Sequence, residues 1–393
     1  MKLTRLALAF AVVAGVAGSG VGCVRANLRD ADAMSPIPRE PLGQDRLALK
    51  WKFQTADRRT ELGPQEFASS ALGPYDSVFV GSAAGEFFAL RAADGSVRWR
   101  KTIGAVGSAP LVLGNMVLVG TVTGVMIALD SLTGAEKWRY QSRGPIEQTA
   151  VATTGDLVIF SNEADQVVAL DAQNGKLHWQ YKAETPDEYT LRGHAGVAVD
   201  GDLVYTGFAN GTMVALRRDT GSIAWSTSLK GDAERFMDVD ATPIVIDDRV
   251  YVSSSSGGVF SLDKGTGVVR WRVPFYDASL PSAQGNVGGL ATDGKMLFVS
   301  VADLGLYALD MEGNIVWRVG ARGGGEPGTP VVFDDLLLVS LAEDGLFLTE
   351  RKTGRVVEYF DPGSGASAQP TLTGDGRLFV MSNRGVLYDF DID

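Results

Sequence analysis

The chain has a single cysteine, Cys23, in 393 residues. No disulfide can form within it, and multi-cysteine metal sites and paired-cysteine redox centres are excluded. Histidine is nearly as scarce. His178 and His194 lack the spacing of a metal-binding pair, and neither has an identifiable Ser and Asp partner for nucleophilic catalysis. No Gly-x-Ser-x-Gly elbow occurs. The glycine clusters at 257–258, 288–289 and 323–325 lack the Lys-Ser or Lys-Thr that a phosphate-cradling loop needs. Positive charge is also in deficit, with 36 Lys and Arg against 47 Asp and Glu and a net charge of -11, so nothing in the composition favours a nucleic-acid partner. No apolar run reaches the ~20 residues of a membrane-spanning helix. No helical apolar stripe runs through the body of the chain. No metal, cofactor or catalytic group is therefore expected.

The first residues are of a different kind. Lys2 and Arg5 precede an apolar stretch from Leu6 to Val16, followed by Ala17, Gly18, Ser19, Gly20, Val21 and Gly22. That arrangement reads as a secretory signal over residues 1–22. Cys23 follows directly and resembles the lipobox cysteine of bacterial lipoproteins, with Gly20 standing where Leu is usual. Lipidation at Cys23 is the expectation, and it consumes the only thiol. Loss of Lys2 and Arg5 with the signal takes the net charge from -11 to -13. Val24 rather than Asp after the cysteine implies, by resemblance to lipoprotein sorting, the outer membrane. Residues 23–45 are polar, carry three prolines and show no period, so they read as a flexible tether. Such a chain spans on the order of 25 Å.

From residue 46 onward the sequence repeats. All seven tryptophans fall in one register, Trp51, Trp99, Trp138, Trp179, Trp225, Trp271 and Trp317. Six of them end a shared phrase, clearest as GVMIALDSLTGAEKW from Gly124 to Trp138. Each phrase is an alternating apolar strand, a turn ending in glycine, and a second strand with Trp four residues after that glycine, which is a β-hairpin. Two further short apolar runs precede each hairpin, as in PIVIDDRVYVS. Pro110, Pro243, Pro330 and Pro370 open the first of these, where a missing N–H costs least.

Four-stranded units repeated at this period predict an all-β fold, an eight-bladed β-propeller with four antiparallel strands per blade over residues 46–393. The last triplet of strands lacks an outer strand, whereas LALKWKFQ around Trp51 is an outer strand with no triplet before it. The N-terminal strand is thus expected to close the ring by pairing with the C-terminal blade, hiding two sheet edges. The tryptophans read as wedges between blades. In the seventh repeat Glu358 stands where Trp is expected and Tyr359 one later, and a bulge is expected to restore the packing.

Loops from the outer strand of one blade to the inner strand of the next are uneven. Four span 11 to 13 residues, but those from Trp179 to Gly196, Trp225 to Pro243, Trp271 to Leu290 and Trp51 to Ala71 span 17 to 20. All emerge on one face, so the three consecutive long ones predict a raised binding patch. It includes ETPDEYTLRGH (184–194) and GDAERFMDVDATP (231–243), mixing aromatic and Arg side chains with carboxylates as protein contacts do.

The signal, Cys23 and the eight repeats together resemble the BamB family, lipoproteins of the complex that inserts β-barrel proteins into the outer membrane. TLRG at 190–193 is similar to that family's Leu-Arg segment, and DVDATP at 238–243 to its Asp-x-Asp segment. The resemblance implies a non-catalytic, periplasm-facing lipoprotein, monomeric outside its complex, that docks on the barrel insertase BamA through Leu191, Arg192, Asp238 and Asp240. Two alternatives stay open. One is an envelope scaffold for another complex. The other is a quinone-dependent dehydrogenase, which resembles the chain in its repeats but uses an adjacent cysteine pair, absent here, and a cluster of carboxylate, amide and calcium.

Overall fold

A computed structural model describes residues 46–55, 66–184, 195–230, 238–254, 257–275, 287–302, 305–320 and 328–392. Their regular structure is entirely strand, 32 in number, from β1 (Leu47–Gln54) to β32 (Val386–Ile392). They form eight four-stranded antiparallel sheets. Seven sheets take their strands in sequence order; the eighth has the order β1, β32, β31 (Arg377–Met381), β30 (Thr371–Leu372). The eight-bladed propeller closed by its two ends is thus observed. Blades one to seven span 71–102, 111–141, 151–182, 198–228, 244–273, 287–319 and 331–360, and blade eight combines 371–392 with 47–54. The prolines expected to open inner strands stand immediately before them, at Leu111, Ile244, Val331 and Thr371.

Second and third strands are almost fully buried, as in Ser77–Gly81 and Leu157–Asn162, and the core lies between blades. One cluster joins Met116, Leu118 and Met126 of blade two to Phe160, Val168 and Leu170 of blade three. Another joins Val78, Val80 and Phe88 of blade one to Phe379, Met381 and Leu387 of blade eight, with Trp51 among them. Each blade face is apolar, so a blade cannot be stable without its neighbours.

The repeat phrase now has a mechanical meaning. Every tryptophan lays its ring on the hairpin glycine of the following blade and donates its indole N–H to a carbonyl of the same hairpin. Trp51 donates to Ala92 at 2.7 Å, Trp138 to Ala172 at 3.0 Å and Trp225 to Lys264 at 2.9 Å. Gly175 has a φ of 68°, and a Cβ added there would sit 2.5 Å from the ring of Trp138. The glycine is needed both for its left-handed backbone and for close approach. The Asp opening these turns, such as Asp130 and Asp263, accepts the N–H of Thr133 or Thr266. Those hydrogen bonds hold the Asp130 carboxyl below its ordinary range, and Arg270 together with Thr266 brings that of Asp263 to about 2. We expect Gly175→Ala to cost about 2–3 kcal/mol in urea unfolding, from strain plus overpacking. Gly201→Ala, at a φ of 56° with open space around it, should cost only about 1 kcal/mol.

The missing eighth tryptophan follows from the closure. Glu358 pairs with Leu348 just as Trp99 pairs with Ala89, and the bulge before it is the one the tryptophan hairpins share, so no shift brings Tyr359 into the Trp position. A Trp at 358 would have to lie on a hairpin of blade eight, and none exists because β32 and β1 are joined there by pairing and not by a turn. Glu358 accepts the N–H of Arg46 at 2.7 Å instead, at the entrance to β1. Tyr359 stacks on Phe347, with centroids 4.6 Å apart.

Blade eight also replaces a small residue with a buried ion pair. The residue opposite Trp is Ala89, Ala128, Ala169, Ala215 or Ala308 in five blades, but Asp389 lies opposite Trp51. Asp389 is 0% exposed. Arg377 grips it with two hydrogen bonds, Nε to Oδ1 at 2.9 Å and Nη2 to Oδ2 at 2.7 Å, and also donates to the Ala92 carbonyl of blade one. Burial raises the Asp389 carboxyl above its ordinary range, against the lowering by Arg377.

The mouth of the central channel as candidate functional site

Strand direction places all connections from outer to inner strands, and the turns between second and third strands, on one face. The hairpins and both ends of the ring, Leu47 and Ile392, lie on the other. Of the loop-face segments singled out in the sequence, 185–194 and 231–237 lie outside the described residues, so Leu191, Arg192 and His194 are not placed; Cys23 is likewise outside them. Asp238 and Asp240 are placed. Exposed His178 meets the Asp219 carbonyl at 3.1 Å, as its outer-strand position predicts.

How each loop re-enters the ring depends on one position near the end of the second strand. In three blades it is glycine, and an apolar residue of the incoming loop fills the space: Val106 over Gly81, Ile146 over Gly120 and Val239 over Gly207. In three others it is serine, which bonds to the incoming backbone: Ser161 to Ala195, Ser253 to Gly288 and Ser300 to Gly328, at 2.7, 2.7 and 3.1 Å. Val239 is fully buried and donates its N–H to the Phe208 carbonyl at 3.3 Å. It pins the chain between the two aspartates. Asp238 is 2% exposed, whereas Asp240 lines the mouth of the central channel. Of the two, only Asp240 reaches the surface of the cavity.

The mouth is a cavity of about 430 Å³. Its collar takes the residue two before the inner strand in four blades, Thr149, Thr242, Thr329 and Gln369, with Gly289 of the sixth blade's inner strand between threonines. A side chain at Gly196 would collide with Thr242 and one at Gly289 with Thr329, so the glycines make room for the hydroxyls. Val151 and Ile244 form an aliphatic floor beneath, and Gln148 and Asp240 stand at the rim. Nothing in the repeat phrase marks this collar. Its signal is the polar residue before the proline in Thr242-Pro243, Thr329-Pro330 and Gln369-Pro370.

Among the described residues the lining holds no Lys, Arg or His, and no group of His, Cys, Asp and Glu could hold a metal ion. A quinone cofactor bearing several carboxylates would meet no cation among these described residues, which do not fit such a group.

The sequence profile described as "Outer membrane protein assembly factor BamB" matches residues 48–188 and 147–312, together more than half of the chain. The chain belongs to the BamB family. No curated protein matches it in sequence. The structure of BamB from Moraxella catarrhalis is similar to this BamB-family propeller, with a TM-score of 0.73 and 22% identity over 88% of this chain and 100% of that one. The quinohemoprotein alcohol dehydrogenase of Comamonas testosteroni is also similar, with a TM-score of 0.67 and 15% identity over 92% of this chain and 78% of that one. A computationally designed protein, Ika8, reaches 0.70 at 14% identity over 88% and 100%. At these identities the likeness shows a shared propeller, which carries a structural role, an enzyme and a design alike.

Proposed function

We propose that the chain is a non-catalytic lipoprotein scaffold of the outer membrane, anchored through Cys23 and facing the periplasm, that binds the barrel insertase BamA and assists the assembly of outer-membrane β-barrel proteins. Family membership over residues 48–312 carries this reading. The loop face supports it: Val239 fixes one long loop, Asp240 presents a carboxylate at the channel mouth, and Leu191 and Arg192 belong to the loop of the adjacent blade. Leu191 would anchor and Arg192 would offer a fork of donors to a carboxylate. The dehydrogenase reading shares the propeller, but the described lining offers its cofactor no cation.

The test is capture from detergent-solubilised envelopes with the wild-type lipoprotein and with Leu191, Arg192, Asp238 and Asp240 replaced together. We expect the insertase to co-purify with wild type and to be lost, by roughly tenfold or more, from a variant whose thermal unfolding is unchanged. If the insertase never co-purifies, the assembly role falls.

A further inference from the structure

We propose that the loop-face mouth of the channel binds an uncharged stretch of polypeptide, the tip of a partner's loop, which lowers one aliphatic side chain onto Val151 and Ile244 while its backbone bonds to the collar. The partner's presence on this face rests on the function proposed above; the chemistry of the site rests on the channel alone. Thr149, Thr242, Thr329 and Gln369 carry groups that both donate and accept, which is what a peptide unit requires. None of these four side chains is engaged by another described residue, so the bonds a peptide would make are not already taken. The aliphatic floor supplies the apolar contact that such sites combine with a few placed polar groups, and the cavity, about 430 Å³, lies within the usual range of about 300–1,000 Å³.

Other ligand classes fit less well. An anion finds no cation among the described residues of the lining. A sugar finds no aromatic ring to stack on among the described residues of the cavity. The aliphatic floor of Val151 and Ile244 calls for an apolar entering side chain rather than an acidic one.

Methyl-detected NMR of the full chain tests this, with N-acetyl-Gly-Leu-Gly-amide as the probe and its Asp counterpart and maltose as controls. The Leu peptide should shift the methyls of Val151, Thr242 and Ile244 in a saturable way, and Thr242→Val with Gln369→Met should weaken binding roughly tenfold while spectra elsewhere stay superimposable. The proposal is overturned if the Leu peptide leaves these methyls unmoved up to about 10 mM, if its shifts scatter over the surface, if the double variant binds as well as wild type, or if maltose or the Asp peptide binds equally. Because the titration uses the isolated chain, its failure removes the peptide site without affecting insertase capture. A positive titration beside failed capture leaves the site standing for a different protein partner.

Discussion

Trp51→Ala should lower the unfolding free energy by about 4 kcal/mol, near the middle of the range for deleting a large buried aromatic, and by more than Trp99→Ala. Both rings lie on a hairpin glycine of the next blade, so the local losses are comparable. The difference lies in what each junction holds. Blades one and two are consecutive in the chain, whereas Trp51 sits where β1, blade eight and blade one meet, packed 5.9 Å from Phe379 in the cluster that joins the two ends of the sequence. Without it β1 can leave β32 while the other blades persist. Urea unfolding with amide exchange checks this: exchange should rise selectively in β1 and β32 for Trp51→Ala. Equal destabilisation and equal exchange in the two variants would mean that closure is no weaker than any other junction.

Arg377→Met has a comparable expected effect and a diagnostic pH dependence. Removing one partner of a buried pair typically costs about 3–5 kcal/mol because the other charge is left stranded, and Asp389 has no exposure with which to recover hydration. Burial already raises the Asp389 carboxyl above its ordinary value. A group raised in the folded state contributes stability that is present below its unfolded pKa and lost as pH rises through the folded one. Without Arg377 the folded value rises further. The deficit of the variant relative to wild type should therefore be largest near about pH 8 and shrink toward about pH 5. Adding Asp389→Leu to Arg377→Met should recover much of the loss, as apolar replacement of buried pairs does. A deficit that does not change with pH would show that Arg377 acts through packing rather than charge.

The propeller was legible in the sequence because its interlocking parts are periodic. Trp and Gly recur in one phrase, and a wedge with a glycine seat is a packing rule readable from spacing alone. The closure was legible from what the two ends lack. The seventh repeat was misread for a related reason: Glu358 looks like a defect within its own repeat, but the missing element is the hairpin of the next blade, which local spacing does not contain. Asp238 and Asp240 were singled out together, yet neighbours in an extended segment can be treated differently by the surrounding packing, and Val239 over Gly207 divides them into one buried and one lining residue. The channel collar is not legible because its members lie about 40 to 90 residues apart in sequence and become a set only when the ring closes.

The direction of β1 carries a mechanical consequence. The chain enters the ring at Leu47, beside Ile392, on the hairpin face, and the strand then runs toward the opposite rim. A load delivered through the residues before Leu47 and away from that face acts along the strand, at right angles to the ladder bonds. All seven residue pairs between β1 and β32 are then strained together, in shear, rather than opened one after another from an end. Tension from that side grips the joint, whereas peeling from Gln54 would undo it pair by pair.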